Sequence, residues 1–225
     1  MSKEQERRAR AKKIVVWLKK HYPKPKSELK YHTPFQFVVA VMLSAQCMDK
    51  VVNRVTESLF KKYKTAFDFA QAKPQDFERE ISSITFFRNK AKAVITAAKK
   101  VEARPPAGGF GGKVPKDEKA LQALPGVGYK TAHVIMGELF DEWPGIPTDT
   151  HVRRFALRFD LVDSKDLNKI SKELEALISK KDWKYVNNGL VLYGRYICKA
   201  HKHDCSEHGL TNIWPEAAKR WPKAK

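Results

Sequence analysis

The sequence is poor in cysteine, and its three cysteines (Cys47, Cys198 and Cys205) are unevenly spaced. An odd number of cysteines at irregular intervals does not suit a disulfide scaffold, so we expect a reduced, intracellular protein. The sequence also lacks any run of about 18 apolar residues, which excludes a membrane-spanning helix. The N-terminus carries no apolar leader, and its Glu4 and Glu6 argue against a transit peptide.

Acidic residues are scarce relative to basic ones. The 225 residues include 44 Lys and Arg but only 25 Asp and Glu, which gives a formal net charge of +19. This charge is spread along the chain rather than confined to a tail, so it predicts an acidic polymer or an anionic surface as partner. A basic protein that binds RNA or membranes without specificity is the alternative that charge alone leaves open.

Strand patterns and internal repeats are missing as well, whereas apolar residues recur at helical spacing along most of the chain. Thr33 and Pro34 are typical of a helix start, as N-cap and first helical residue. They predict a helix from Phe35 to Gln46, whose apolar run Phe37 to Leu43 is too continuous for a surface helix, so we expect this helix at the centre of a domain. Asp117 is predicted to cap another helix, Glu118–Leu124. The sequence therefore predicts an all-α fold.

The stretch from Leu124 to Ala132 (Leu-Pro-Gly-Val-Gly-Tyr-Lys-Thr-Ala) carries the strongest local signal. Gly126 and Gly128 predict a tight turn that opens a helix, and the backbone N–H groups of such a turn form an anion site. Lys130 follows on the first helical turn. This arrangement favours a protein that holds a phosphate strand and places an amine against it. An ordinary connector with a solvated lysine is the alternative.

A second motif, Thr148-Asp149-Thr150-His151, begins another helix with an acid in its first turn. Together with the Leu124–Ala132 stretch, with Leu43-Ser44-Ala45-Gln46 and with Gly194-Arg195-Tyr196-Ile197-Cys198, it resembles the helix-hairpin-helix DNA glycosylases, most closely the endonuclease III branch. The resemblance covers nearly the whole chain, roughly Ala11 to Cys205.

The resemblance implies two helical domains with a DNA-binding groove between them. One is a six-helix domain, 28–142, that contains the helix-hairpin-helix motif. The other is discontinuous, 1–27 plus 143–225, and carries a degenerate cluster loop at 198–214. The implied partner is double-stranded DNA with a damaged base or an abasic site, bound by a monomer in the cytoplasm or nucleoid.

The implied activity is that of a bifunctional DNA glycosylase/AP lyase for oxidised pyrimidines. Lys130 is then the nucleophile, which attacks the sugar C1′, forms a Schiff base and allows β-elimination. Asp149 stabilises the positive charge at C1′ and helps to deprotonate the lysine, although a plain helix N-cap is its alternative role. Two other functions stay open: a mismatch-specific thymine or uracil glycosylase on the same scaffold, and a non-catalytic DNA-binding module.

The resemblance also implies the residues that contact DNA. Gln46 matches the glutamine that fills the gap left by a flipped base, and the alternative is a capping polar residue. Phe86 stands where the family usually has a leucine wedge, with Thr85 in place of a glycine; the alternative is that Phe86 and Phe87 are both core residues. Arg88 and Lys90 are expected on phosphates. The remaining DNA-binding positions are Gly126, Val127, Gly128, Thr131 and His151.

The C-terminal segment departs from the family, most of whose members end in four cysteines that bind a [4Fe–4S] cluster. Cys198 and Cys205 match the first two, but His208 and Trp214 stand at the other two positions. Because such a cluster needs four thiolates, we predict neither an iron–sulfur cluster nor any other cofactor, and a metal-free remnant. The alternative is zinc held by Cys198, Cys205, His208 and either His201 or His203.

Overall fold

The computed structural model describes residues 1–104 and 108–221. Residues 105–107 and 222–225, which fall within the predicted domains, lie outside these ranges. Every regular element within the described ranges is helical, so the prediction of an all-α fold is confirmed. None of the helices formed by these residues is long and apolar enough to cross a membrane.

The described residues form a series of α-helices with short 3₁₀ and π segments near the C-terminus. The α-helices in chain order are α1 (Lys3–His21), α2 (Pro34–Ser44), α3 (Asp49–Lys62), α4 (Ala66–Ala70), α5 (Pro74–Glu80), α6 (Phe87–Glu102), α7 (Glu118–Gln122), α8 (Tyr129–Phe140), α9 (Thr150–Arg158), α10 (Leu167–Leu177) and α11 (Leu190–Tyr196). A π-helical segment, Tyr185–Gly189, leads into α11, and 3₁₀ turns occupy Lys180–Asp182, Thr211–Ile213 and Pro215–Ala218.

The chain divides into two compact units. One contains Met1–Ser27 and Trp143–Lys225, and the other contains Glu28–Glu142. Each has its own cluster of buried apolar side chains. The DNA-binding groove that the resemblance implies stays a prediction.

Helix α2 lies at the centre of the Glu28–Glu142 unit, with all residues from Phe35 to Leu43 buried. Its start follows from local chemistry, because the Thr33 hydroxyl accepts from the Gln36 N–H and the Gln36 side chain accepts in return from the Thr33 N–H. The Gln36 amide also donates to the carbonyls of Phe60 and Tyr63, which fixes α3 against α2. α6 and α8 pack on α2 as well.

The other unit is built around α1, α9, α10 and α11. Ala11, Ile14 and Leu18 of α1 are buried in its core. Arg7, also buried, donates from its guanidinium to Asp160 and Asp163 at 3.1 Å and 2.7 Å. The N-terminal helix is thereby fixed to the segment that follows α9.

Candidate nucleic-acid interface and active site

The turn between α7 and α8 forms a helical hairpin. Asp117 caps α7 as predicted, by accepting from the Ala120 N–H. Gly126 has a φ of +81°, and a Cβ at this position would lie 2.9 Å from Met42 Cε and 3.0 Å from Ala93 Cβ. Backbone conformation and close packing therefore both require glycine here.

Gly128 is the N-cap of α8 and differs from Gly126. Its φ is −87°, and a Cβ there would meet no atom within 4 Å. Ser, Thr or Asp side chains cap α1, α2, α4, α7, α9 and α10, whereas α8, like α3, α5, α6 and α11, has no side-chain cap. The first N–H groups of a helix have no partner within the helix, so α8 opens with donors and free space in front of them. Such a terminus favours an anion.

Lys130 lies on this first turn of α8, and its side chain is exposed. Thr131 is half-buried beside it, and Val127 belongs to the hydrophobic core with 4% of its surface exposed. One turn further on, the Nε2 atom of His133 lies 3.0 Å from a carboxylate oxygen of Glu118 on α7. The two helices of the hairpin are thus in contact below the exposed lysine.

Asp149 belongs to the other unit, where it is the N-cap of α9. Its Oδ1 accepts from the backbone N–H groups of His151 and Val152, both at 2.9 Å. The capping role is therefore real. It uses one carboxylate oxygen and fixes the orientation of the group.

His151 points toward α11 rather than directly outward. A Cβ at Gly194 would lie 2.3 Å from its Nδ1, and the Arg154 guanidinium lies 3.3 Å from the same nitrogen. Gly194 is therefore needed for α9 to approach α11 at this point, which explains why the two matched motifs meet here.

Gln46 follows the end of α2 in a left-handed conformation with a φ of +53°, and it is exposed. The helix ends at Ser44, two residues before the predicted end. The Lys90 ammonium donates to the carbonyls of Leu43 and Ala45 at 2.8 Å and 2.6 Å. Burial lowers the pKa of Lys90. Lys90 thus donates to backbone carbonyls in this structure and positions the Gln46 turn, and its contact with a DNA phosphate stays a prediction.

Phe86 is exposed over 61% of its surface and has a φ of +57° as the N-cap of α6. Phe87, its neighbour, packs against the hydrophobic core, and the exposed Arg88 lies over the Phe87 ring. The alternative in which both phenylalanines are core residues is therefore wrong. A non-glycine residue with positive φ carries strain, and such residues concentrate at functional sites. Among the described residues only four have this conformation, and Gln46 and Phe86 are two of them.

The prediction that the chain has no cofactor and a metal-free C-terminal segment is wrong. Cys198 and Cys205 are free thiols, each 1% exposed. Their sulfurs and a ring nitrogen of His208 all lie within 4.8 Å of one another, which is a set of ligands that can hold a metal ion. The metal-free prediction depended on the count of cysteines, which does not reveal that the fold brings an imidazole to the two thiols; the zinc alternative named the same three residues.

Two arginines that the sequence analysis did not consider hold this segment in place. Arg154 donates to the carbonyls of Cys198 and Lys199 at 2.6 Å and 3.0 Å, and burial lowers its pKa. Arg158 is 1% exposed and donates to both thiols at 2.9 Å. Their spacing of four residues puts both on one face of α9, and this pair of cations was the signal available in the sequence.

Comparison with known proteins gives a consistent result. Residues 39–180 match the family described as HhH-GPD superfamily base excision DNA repair protein. The chain is 39% identical to Endonuclease III of Synechocystis sp. over 94% of each chain. It is 40% identical to Endonuclease III of Bacillus subtilis, over 88% of this chain and 89% of the relative.

The fold agrees with these relatives. A solved structure of a trapped Endonuclease III–DNA covalent intermediate superimposes with a TM-score of 0.84 and 33% identity, over 97% of this chain and 98% of that chain. The chain therefore belongs to the HhH-GPD superfamily of base excision DNA repair proteins, in its endonuclease III-like branch.

Proposed function

We propose that this protein is a bifunctional DNA glycosylase/AP lyase that removes oxidised pyrimidines and then cleaves the abasic strand through a lysine Schiff base. Its family makes it a DNA glycosylase/AP lyase of base excision repair. The observation that carries the finer proposal is the exposed Lys130 amine on the first turn of α8, beside the open N-terminus that Gly128 leaves uncapped.

The hairpin binds one DNA strand through its phosphates. The N–H groups at the start of α8 and the turn Gly126–Gly128 donate to phosphate oxygens, and the open space at Gly128 lets the strand approach the backbone. Thr131 and His151 add polar contacts. The net charge of +19 supplies the long-range attraction, so affinity falls with salt.

The damaged nucleotide must leave the base stack before an amine can reach its sugar. Phe86 fits a wedge that unstacks the duplex, because it is a large apolar side chain held out in solvent at a strained position. Gln46, exposed on the turn that Lys90 positions, fills the space that the flipped base leaves. Arg88 is exposed on the first turn of α6 and contacts a phosphate nearby.

The chemistry then proceeds at C1′. The Lys130 amine forms a bond to C1′ while the bond from C1′ to the base breaks, and the base leaves with the bonding electrons and takes up a proton. The sugar ring opens to a protonated Schiff base, a C2′ proton is lost, and the 3′ phosphate departs by β-elimination. Asp149, oriented by its helix cap, stabilises the positive charge that develops at C1′. The covalent DNA complex of the solved relative supports such a step.

The test is a duplex assay that reads base release and strand cleavage separately, on substrates with an oxidised pyrimidine, a mispaired thymine or a uracil. We expect the wild type to cleave the oxidised-pyrimidine strand without alkali, and Lys130→Ala and Asp149→Asn to lose at least about a hundredfold in rate, the lower end of typical losses of acid–base groups. Lys119→Ala removes an exposed lysine from α7 and should match the wild type. Preference for the mispaired thymine or the uracil would contradict the assignment of substrate.

We propose further that the enzyme acts as a monomer on DNA inside the cell. Size-exclusion chromatography with light scattering should give one chain per particle, both free and with one duplex bound. A dimer in either state would contradict this part of the proposal.

A further inference from the structure

The segment that follows α11 gathers more metal-binding groups than the two cysteines. His203 and His208 lie side by side, with ring centroids 5.3 Å apart, next to the Cys198, Cys205 and His208 cluster. The Nε2 atom of His203 and the Nδ1 atom of His208 are both buried, and neither finds a hydrogen-bond partner among residues 1–104 and 108–221. Buried polar atoms without partners are rare in native proteins and call for an explanation.

The tautomer of His203 is set by its surroundings. Its Nδ1 lies 2.7 Å from the carbonyl oxygen of His201, and since a carbonyl can only accept, Nδ1 carries the proton. The buried Nε2 of the neutral ring then presents a lone pair. Histidines that bind metals are held in this way, with the second ring nitrogen donating to a carbonyl or carboxylate.

Arg158 is a hydrogen-bond partner of the two sulfurs but not of the two imidazoles. Its guanidinium donates to both thiols at 2.9 Å and is itself anchored on the carbonyls of Ala217 and Arg220. The guanidinium leaves the two imidazole nitrogens without a partner, and a metal cation bound beside the two sulfurs would supply one.

We propose that Cys198, Cys205, His208 and His203 bind a single zinc ion. Two thiolates and two imidazoles are a zinc donor set, and four-coordinate zinc is tetrahedral in structural sites. A four-iron cluster is instead held by four thiolates, and the described residues offer two here. Zn–S and Zn–N bonds of about 2.3 Å and 2.0 Å place ligand atoms roughly 3.3–3.8 Å apart. The ligand atoms of Cys198, Cys205 and His208, which lie within 4.8 Å of one another, must therefore move about 1 Å closer, and the His203 ring, which lies outside this group of three, must turn toward them. Binding releases the two thiol protons.

The first test is to measure zinc, iron and acid-labile sulfide in the purified full-length protein. The proposal predicts one zinc per chain, and a lower melting temperature after chelation that zinc restores. Iron together with sulfide would overturn it. So would a protein that takes up no zinc and melts at the same temperature with and without chelator.

The second test identifies the ligands, using Co²⁺ as a spectroscopic probe and competition with a chelator for zinc. His203→Gln should lose at least about tenfold in zinc affinity, which is the lower end of the losses that follow from mutating residues hydrogen-bonded to metal ligands. The variant should also weaken the tetrahedral cobalt–thiolate spectrum. His201→Gln is the matched control, because it keeps the carbonyl that holds His203 and should bind zinc like the wild type. Equal affinity of both variants would overturn the role of His203. This comparison avoids Cys198→Ser, which could fail to fold.

Discussion

Replacement by alanine should have different effects at the two glycines of the hairpin turn. Gly126→Ala should lower the stability of the fold, whereas Gly128→Ala should lower the affinity for DNA. In Gly126→Ala the alanine backbone must adopt a φ near +81°, at a cost of about 1–2 kcal/mol for an L-residue in the left-handed region. Its Cβ would also lie 3.0 Å from Ala93 Cβ, which cannot rotate away, and overpacking of this kind costs about 1–3 kcal/mol. Met42 Cε, at 2.9 Å, is the end of a flexible side chain and can move.

Against these costs, alanine reduces the entropy of the unfolded chain and returns about 0.4–1 kcal/mol. The net expectation for Gly126→Ala is a loss of about 1–5 kcal/mol in the free energy of unfolding. In Gly128→Ala, φ is ordinary and the methyl group meets no atom of the protein, so the free energy of unfolding should change by less than about 0.5 kcal/mol.

DNA affinity is the property that Gly128→Ala should change. The methyl group of Gly128→Ala occupies the space through which the strand approaches α8, so we expect affinity for an abasic duplex to fall at least about tenfold, or 1.4 kcal/mol. Urea unfolding and a binding titration at fixed salt measure the two effects. A Gly126→Ala protein as stable as the wild type would refute the packing argument. Unchanged affinity in Gly128→Ala would refute the approach of phosphate at that residue.

Three further predictions concern residues away from the hairpin. Phe86→Ala should leave the urea midpoint nearly unchanged, since the ring is exposed. Its binding to an abasic duplex should weaken by about 1–3 kcal/mol, which is the value of stacking one base on an aromatic ring. Equal losses of unfolding free energy and of binding free energy would contradict the role of Phe86 as a wedge. Lys90→Met removes two charge-assisted hydrogen bonds to the end of α2 and should cost about 1–3 kcal/mol of unfolding free energy. Lys92 is exposed, so the control Lys92→Met should change that free energy little. Equal shifts of the urea midpoint in the two variants would refute this role of Lys90. Burial raises the pKa of Asp160, but the hydrogen bond and charge of Arg7 together with the charges of Arg220 and Arg10 outweigh it and hold that pKa below its ordinary value. An unfolded Asp titrates near ~3.9, so this stabilisation is complete above about pH 5 and is lost as the pH falls through the lower folded pKa. Urea midpoints from pH 6 down to pH 3 should therefore fall less in Asp160→Asn than in the wild type, and parallel curves would contradict the linkage.

Much of the fold could be predicted because its signals are local. Thr33, Pro34 and Asp117 start their helices by contacts within three residues, and the apolar run of α2 is long enough to require burial on all sides. The hairpin turn could also be predicted from the sequence, because its backbone has a positive φ at Gly126, a conformation that few residues other than glycine adopt.

The features that sequence reasoning missed depend on contacts between distant segments. Nothing near Lys90 indicates that its amine reaches the end of α2, 45 residues away in sequence. The choice between Phe86 and Phe87 as the exposed ring depends on how α6 begins, and both residues are equally apolar. The metal-free prediction is wrong for the same reason, since Arg158 and His208 join the two thiols only in the folded chain, although the zinc alternative named the two cysteines and His208.

The central claim is that Lys130 forms the covalent bond to DNA. The most direct measurement is reduction with borohydride during reaction with a duplex that carries one abasic site, followed by peptide mass spectrometry of the trapped complex. We expect one adduct per chain, carried by the peptide that contains Lys130, and no adduct in a folded, DNA-binding Lys130→Ala protein. An adduct on another residue, or none from wild-type protein that binds the duplex, would contradict it.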